Sequence, residues 1–166
     1  MPTRRQFVVV AAASVGLAPV VTWLGSGRVA NGAEARATFP LQKTEAEWRR
    51  QLSPPQYRIL REAGTERAGS SPLDHEKRAG TFVCAGCEQP LFESRTKFES
   101  STGWPSFFAP IDGAVGTSVD RSMFMVRTEV HCANCGGHLG HVFPDGPKPT
   151  GLRYCMNGLA LRFNPA

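Results

Sequence analysis

Four of the five cysteines come in two pairs with the spacing Cys-x-x-Cys: Cys84 and Cys87, then Cys132 and Cys135. Two residues between cysteines let a tight turn direct both sulfur atoms at one ion, and two such turns complete a tetrahedral zinc site. Gly86, Gly136 and Gly137 lie in or just after the pairs and are expected to let the backbone bend. Residues 88–131 separate the pairs, so a folded domain must bring them together.

The N-terminal segment, residues 1–35, has the parts of an export signal. Arg4 and Arg5 form a twin-arginine pattern, an 18-residue apolar run extends from residue 7 to residue 24, and Ala33-Glu34-Ala35 fits a cleavage site. We therefore expect a cleaved twin-arginine signal peptide and a periplasmic or other extracytoplasmic location. The alternative is an uncleaved membrane anchor, since a run of this length is borderline for spanning a bilayer.

An exported protein meets an oxidising compartment, so the paired cysteines have a second interpretation as disulfides. A bond within one Cys-x-x-Cys pair is strained and closes a very small loop, whereas bonds between the two pairs stay open as an alternative. Zinc is redox-inert, so under the zinc interpretation the four cysteines are structural. Cys155 is then the one free thiol of the chain.

Composition favours a turn-rich β fold after a short helical segment. The chain has 17 glycines and 13 prolines, and runs rich in β-formers are separated by Gly, Pro, Asp and Asn. We expect a small antiparallel β domain over about residues 81–164, with strands within residues 81–83, 90–92, 122–130 and 151–163, of which 122–130 is the clearest.

Two helices are predicted before the β domain. Thr44 and Glu47 form a capping box for a helix that continues to Leu52. Ser53 caps a second helix, which has prolines in its first turn and a stop at Gly64.

The lone Cys155 has Arg153 two residues before it and Asn157 two residues after it. In a strand these three side chains share one face, because side chains alternate with period two. A lone cysteine is most often a small buried hydrophobe, but a guanidinium near the sulfur stabilises the thiolate. We therefore predict a thiol with a lowered pKa at the end of a core strand.

Two histidines, His138 and His141, follow the second cysteine pair closely. His138 has ligand-like spacing from Cys135, so it is an alternative zinc ligand. We favour the four cysteines because they form two equivalent halves. Both histidines are then available for acid–base chemistry beside a thiol.

Two further side chains suit a pocket around this thiol. Asp145 is expected to pair with Arg153 and hold it in place. Trp104, beside Pro105, is either a core residue or an aromatic wall that favours contact with a sulfur-bearing substrate.

Five motifs occur in order: the first cysteine pair, GWPSF at 103–107, the second cysteine pair, HLGHVFPDG at 138–146 and RYCMN at 153–157. Over about residues 41–164 the chain resembles the B-type methionine sulfoxide reductases. The resemblance implies a mainly β fold of two antiparallel, tent-like sheets with short N-terminal helices and a structural zinc ion on the four cysteines. It also implies that residues 36–166 reduce the R epimer of methionine sulfoxide, free or in oxidised proteins.

The resemblance also implies roles for single residues. Cys155 looks like the nucleophile that attacks the sulfoxide sulfur and becomes a sulfenic acid. His138 and His141 match the pocket histidines that are the expected proton donors, and Asn157 matches a polar group beside the nucleophile. The expected substrate-binding residues are Trp104, which would wall the substrate methyl group, Arg153 and Asp145.

One position departs from the family pattern. Many members carry a resolving cysteine just before GWPSF, whereas this chain has Thr102 there. With the other four cysteines on zinc, no internal disulfide can form. We therefore expect an external thiol, either a thioredoxin-like protein or a small molecule, to reduce Cys155 in a monomeric enzyme.

The competing interpretation is an exported zinc-ribbon-like binding or structural module without catalysis. Its charge does not favour nucleic acid, because removing residues 1–35 leaves 16 basic and 13 acidic residues, a difference of +3. No basic stripe interleaved with aromatic residues is present. Such a module has no need of an arginine-flanked lone cysteine, which makes an enzyme the preferred interpretation.

Overall fold

A computed structural model describes residues 38–166; the predicted twin-arginine segment at 1–35 lies outside that range. The first helix, α1, spans Glu45–Gln51. It begins with the predicted capping box, in which Thr44 and Glu47 each accept a hydrogen bond from the other's backbone N–H. Within the described range, no helix is long and apolar enough to cross a membrane.

The second helix, α2, spans Pro54–Glu62 and follows α1 after a tight bend. Ser53 caps it as predicted, and Gln56 completes a second capping box. The helix ends slightly before the predicted stop at Gly64. Ala63 takes the left-handed conformation at its C-terminus, with φ of 50°.

Nine strands in the described residues form two sheets: β1 (Gly80–Cys84), β2 (Pro90–Glu93), β3 (Lys97–Phe98), β4 (Ser106–Phe107), β5 (Val115–Asp120), β6 (Arg127–Cys132), β7 (His138–Phe143), β8 (Arg153–Met156) and β9 (Leu161–Pro165). One sheet has the order β2-β1-β9, and the other has the order β3-β4-β8-β7-β6-β5. All neighbouring strands are antiparallel. The predicted fold class, mainly β with two antiparallel sheets and short N-terminal helices, is confirmed.

The strand predicted over residues 122–130 is wrong in its first half. β6 begins only at Arg127, and residues 122–124 form a short 3-10 turn in which Met123 has φ of 53°. The reason is β5, which was not predicted. Because Asp120 at the end of β5 pairs with Arg127 at the start of β6, the residues between them must reverse the chain.

Aromatic side chains join the two sheets. Phe82 of β1 and Phe92 of β2 contact Phe107 of β4, with ring centroids 4.9 and 4.3 Å apart. All three rings are fully buried. Burying a side chain of this size stabilises the fold by about 1.5–3 kcal/mol. These contacts fix β4, and with it the neighbouring strand β8, against the smaller sheet.

The two helices cover the turns that hold the paired cysteines. Trp48 of α1 and Leu60 of α2 are buried. A methyl group added at Gly86 in the first turn would lie 3.5 Å from Leu60, and one at Gly137 after the second turn would lie 3.0 Å from it. Leu60 therefore packs against both turns and shields them from solvent.

Candidate functional site

The four paired cysteines form one cluster, whose ligand atoms all lie within 4.8 Å of one another. The sulfur atoms of Cys84 and Cys135 are 3.8 Å apart, and those of Cys87 and Cys132 are 3.5 Å apart. A tetrahedron with zinc–sulfur bonds of about 2.3 Å has edges of about 3.8 Å. None of the four is in a disulfide. The cluster is therefore positioned to hold a metal ion.

The two turns of the cluster are built alike. The N–H of Glu88 donates to the carbonyl oxygen of Cys84, and that of Gly136 donates to the carbonyl oxygen of Cys132, both at 2.9 Å. Glu88 and Gly136 are both left-handed, with φ of 63° and 66°. Gly136 thus bends the chain as predicted, but in the first turn Glu88 takes this conformation rather than Gly86.

Hydrogen bonds among the four thiols shift the pKa values of Cys84 and Cys87 in opposite directions. These bonds, the one with Cys132 foremost, raise the pKa of Cys84 and lower the pKa of Cys87. A thiolate is the form that binds metal.

The helix α2 is attached to the second cysteine turn. Arg61 of α2 donates a hydrogen bond to the carbonyl oxygen of Cys135 at 3.0 Å.

His138 lies outside the cluster of four cysteines. Its Nδ1 is 2.7 Å from Oε1 of Glu129, and this hydrogen bond lowers the pKa of Glu129 to about 2. His138 is buried, and its Nε2 has no hydrogen-bond partner within residues 38–166. Its ring centroid is 5.4 Å from that of His141. The structure therefore groups His138 with His141 rather than with the cysteines.

Cys155 lies in β8, between β4 and β7, where it pairs with Ser106 and His141. A cavity of about 120 Å³ opens beside it. The residues that line it are Thr65, Trp104, Arg127, Gly140, His141, Phe143, Cys155 and Asn157. Four predicted site residues, Cys155, His141, Trp104 and Asn157, therefore share one small cavity.

The predicted lowering of the Cys155 pKa is wrong for the free protein. Burial raises the pKa of this thiol, and that effect exceeds the neighbours that favour the thiolate. Those neighbours are the hydroxyl of Thr102, whose Oγ1 is 3.8 Å from the sulfur, then Arg153 and Ser106. The guanidinium of Arg153 lowers the pKa of Cys155 as predicted, but burial of the sulfur raises that pKa by more.

Arg153 is held in place by two neighbours. Its Nε and Nη2 donate to the carboxylate of Asp145 at 2.9 and 2.8 Å, which confirms the predicted pair. Its guanidinium also lies 4.6 Å from the ring centroid of Phe143. Asp145 is exposed and does not line the cavity, so it acts on Cys155 only by fixing Arg153.

His141 is oriented by a carboxylate on the neighbouring hairpin. Its Nε2 is 2.8 Å from Oδ2 of Asp120, and that oxygen also accepts a hydrogen bond from Arg127. The other carboxylate oxygen, Oδ1, accepts one from the N–H of Ser122. These bonds, those from Ser122 foremost, hold the pKa of Asp120 well below its ordinary range. Burial lowers the pKa of His141, and the contact with Asp120 opposes that shift.

Asn157 lies just beyond the end of β8, at the start of a 3-10 turn. The predicted alternation of Arg153, Cys155 and Asn157 along one strand face therefore stops before Asn157. Its Nδ2 donates to the carbonyl oxygen of Leu139, and its Oδ1 accepts from the N–H of Glu66, both at 3.0 Å. The amide thus braces the cavity wall, and its catalytic role stays a prediction.

Glu66 is a functional-site residue that the sequence did not reveal. It is buried, and its carboxylate accepts hydrogen bonds from the N–H groups of Gly158 and Leu159 at 2.5 and 3.0 Å. Its carbonyl oxygen accepts from the indole N–H of Trp104 at 3.3 Å. One residue therefore fixes both the aromatic wall and the segment after Cys155.

Asp120 and Glu129 were also missed, although each contacts one of the two histidines. Glu129 lies nine residues before His138, and Asp120 lies 21 residues before His141. Only the antiparallel pairing of β5, β6 and β7 brings them together. A prediction of these contacts would have required the strand register.

Comparisons with known proteins agree with this geometry. The SelR domain model matches residues 52–165. The chain is 56% identical over 126 residues to the "Peptide methionine sulfoxide reductase MsrB" of Agrobacterium fabrum, covering 75% of this chain and 93% of that protein. It is 59% identical over 124 residues to the protein of the same name from Bradyrhizobium diazoefficiens, covering 74% and 89%. The protein of that name from Leptospira interrogans is 52% identical over 126 residues, covering 75% and 96%. The chain therefore belongs to the SelR domain family and is an oxidoreductase.

Proposed function

We propose that the chain reduces the R epimer of methionine sulfoxide, free or within polypeptides, to methionine. The observation that carries the proposal is the placement of Cys155 in a small cavity with Trp104 and His141. The shared name of the relatives supports the reaction. The cavity accommodates the end of one side chain, which suits a methionine sulfoxide group better than a large cofactor.

The reaction begins with attack of the Cys155 sulfur on the sulfoxide sulfur. A proton from the nearby imidazole of His141 goes to the sulfoxide oxygen, and the sulfur–oxygen bond of the substrate breaks. The hydroxyl passes to the Cys155 sulfur as the sulfur–sulfur bond made in the attack breaks, so methionine leaves and Cys155 becomes a sulfenic acid. Two equivalents of an external thiol then restore the Cys155 thiol and release one disulfide and one water.

The proton affinities of the two groups suit this sequence. Burial raises the pKa of Cys155 and lowers the pKa of His141, so the free protein favours a neutral thiol and a neutral imidazole. The reactive thiolate–imidazolium pair has the same total number of protons. We propose that the substrate oxygen accepts a proton from this pair when the substrate enters the cavity.

Trp104 supplies the wall that would contact the substrate methyl group and sulfur. Sulfur–aromatic contacts are favourable by about 0.3–1.5 kcal/mol. The indole is held by its hydrogen bond to Glu66. Trp104, the proton donor His141 and the attacking sulfur of Cys155 give three separate contacts with the sulfoxide, and three such contacts can distinguish its two epimers.

Thr102 supports a cycle with one redox-active cysteine. Its Oγ1 is within 3.8 Å of the Cys155 sulfur, so the position of the absent resolving cysteine is directly beside the nucleophile. The other four cysteines are grouped in the metal cluster. We propose that a thioredoxin-like protein or a small thiol reduces the sulfenic acid.

The cysteine cluster is proposed to hold a structural zinc ion. Its sulfur separations fit the edges of a zinc tetrahedron, and four thiolates favour zinc over the harder cations. When bound, zinc stabilises the fold and takes no part in electron transfer. The protein is also proposed to act outside the cytoplasm, which rests on the twin-arginine pattern at residues 4 and 5.

Replacing the nucleophile tests the function directly. With dithiothreitol as reductant, the wild type is expected to reduce the R epimer and leave the S epimer, as measured by chromatography of released methionine. Cys155→Ser should lower the rate by more than about a thousandfold, because an alcohol cannot accept the oxygen. An unchanged unfolding midpoint is the control for folding, and retained activity would contradict the assignment.

Oxidised enzyme reports on the one-cysteine cycle. After reaction with substrate, mass spectrometry of the wild type should show a gain of one oxygen on Cys155, or a dimedone adduct there when dimedone is added. Thr102→Cys should instead lose two hydrogens, because its thiol lies beside Cys155 and forms a disulfide. Ser101→Cys, one residue earlier, is the matched control. A disulfide between Cys155 and a native cysteine would contradict the proposed cycle.

The contact between Asp120 and His141 predicts a change in the pH profile. The plot of kcat/KM against pH should be bell-shaped, rising through the lowered pKa of His141 and falling through the raised pKa of Cys155. Asp120→Asn removes a group that raises the pKa of His141. The rising limb should move to lower pH, and kcat/KM should fall by about tenfold or more.

Asp112→Asn, at an exposed position, is the matched control and should leave both limbs in place. The imidazole resonances of His141 measure the same pKa without turnover. A rising limb that stays fixed in Asp120→Asn would rule out His141 as the group that it reports.

Metal removal tests the cluster. Elemental analysis should find one zinc per chain in the wild type and in Cys155→Ser, but much less in Cys84→Ser. The metal-free protein should unfold at a temperature lower by at least about 10 °C, since structural zinc contributes many kcal/mol of folding free energy. Full zinc content in Cys84→Ser would show that the ion is held elsewhere.

A further inference from the structure

The hairpin of β5 and β6 exposes a row of large apolar side chains. We call Val119, Met123, Phe124, Met125 and Val126 the apolar rim. Phe124 is fully exposed, and Met123 and Val126 are 74% and 71% exposed. Of the six large apolar side chains that residues 38–166 expose, five belong to the rim. Single exposed apolar residues are ordinary, whereas a contiguous group marks an interaction site.

The backbone of the rim is held in an unfavourable conformation. Met123 and Phe124 are consecutive non-glycine residues in the left-handed region, with φ of 53° and 58°. Below them, the N–H of Ser122 donates to Asp120 at 2.8 Å, and the N–H of Met125 donates to the carbonyl oxygen of Ser122 at 3.1 Å. The turn is thus fixed with its apolar side chains in water, and backbone strain of this kind persists mainly at functional sites.

Two residues next to the rim in sequence connect it to the cavity that holds Cys155. Asp120, which follows Val119 of the rim, contacts His141. Arg127, which follows Val126 of the rim, lines the cavity. These two residues also bind each other through a hydrogen bond of 2.6 Å. The residues on either side of a methionine sulfoxide that enters the cavity beside Arg127 are therefore within reach of the rim.

We propose that the apolar rim binds apolar side chains that flank the methionine sulfoxide in an unfolded polypeptide segment. The inference rests on the proposed function and adds a second contact to it. Methionine is usually buried among apolar neighbours, and a protein damaged at such a site exposes those neighbours together with the sulfoxide. Methionine side chains adapt to varied partners, which suits a reductase that acts on many sequences.

Three substrates and one rim variant test the proposal. The substrates are N-acetylmethionine-R-sulfoxide, a peptide with leucine and valine on both sides of the R-sulfoxide, and the same peptide with glycine and serine at those positions. The variant combines Met123→Ser, Phe124→Ser and Val126→Ser. Its KM for the apolar peptide should rise about tenfold with kcat unchanged, whereas values for the other two substrates should stay the same.

Leu159→Ser, which removes an exposed apolar side chain outside the rim, is the matched control and should change none of these values. Equal KM changes for all three substrates, or none, would overturn the proposal. Dimer dissociation in the variant, or loss of binding to phosphatidylglycerol vesicles, with peptide kinetics unchanged would assign the rim to a second copy or a membrane and overturn it equally. If the wild type reduces none of the three substrates, the proposed function itself fails.

Discussion

The four-sulfur cluster is the constraint on which the rest of the structure depends. Cys84 ends β1 in the smaller sheet, and Cys132 ends β6 in the larger one, so the cluster ties the two sheets together at one point. Both helices pack on its turns. β6 leads through the second turn into β7, which carries His141 to its place opposite Cys155. The geometry around Cys155, the proposed nucleophile, thus depends on contacts made far from it in sequence.

Burial disfavours the charged forms of Cys155 and His141, the two proposed reactive residues. Cys155 and His141 are both shifted toward neutrality, and the groups that oppose those shifts, Thr102, Arg153 and Asp120, each contact one of them directly. In the free protein both groups therefore favour their neutral forms. Arg153 and Asp120 are in turn held by neighbours, so small changes outside the cavity reach the chemistry through orientation.

The sequence predicted features that depend on local chemistry. The capping residues Thr44 and Ser53, the two cysteine turns and the pair of Arg153 with Asp145 all follow from residue type and spacing, and the structure contains them. It did not predict β5, Glu66 or Asp120, because their roles depend on register between distant segments. The pKa of Cys155 was mispredicted for a related reason, since a motif shows the nearby charge but not the depth of burial.

One small cavity beside Cys155 has a kinetic consequence. In the proposed reaction, the substrate sulfoxide and the reducing thiol both approach the same sulfur through this one small cavity. In that proposed cycle methionine departs before the electron donor reacts, and the enzyme alternates between the thiol and the sulfenic acid of Cys155. Such alternation gives a ping-pong mechanism, in which each reactant at high concentration competes with the other for the wrong form of the enzyme.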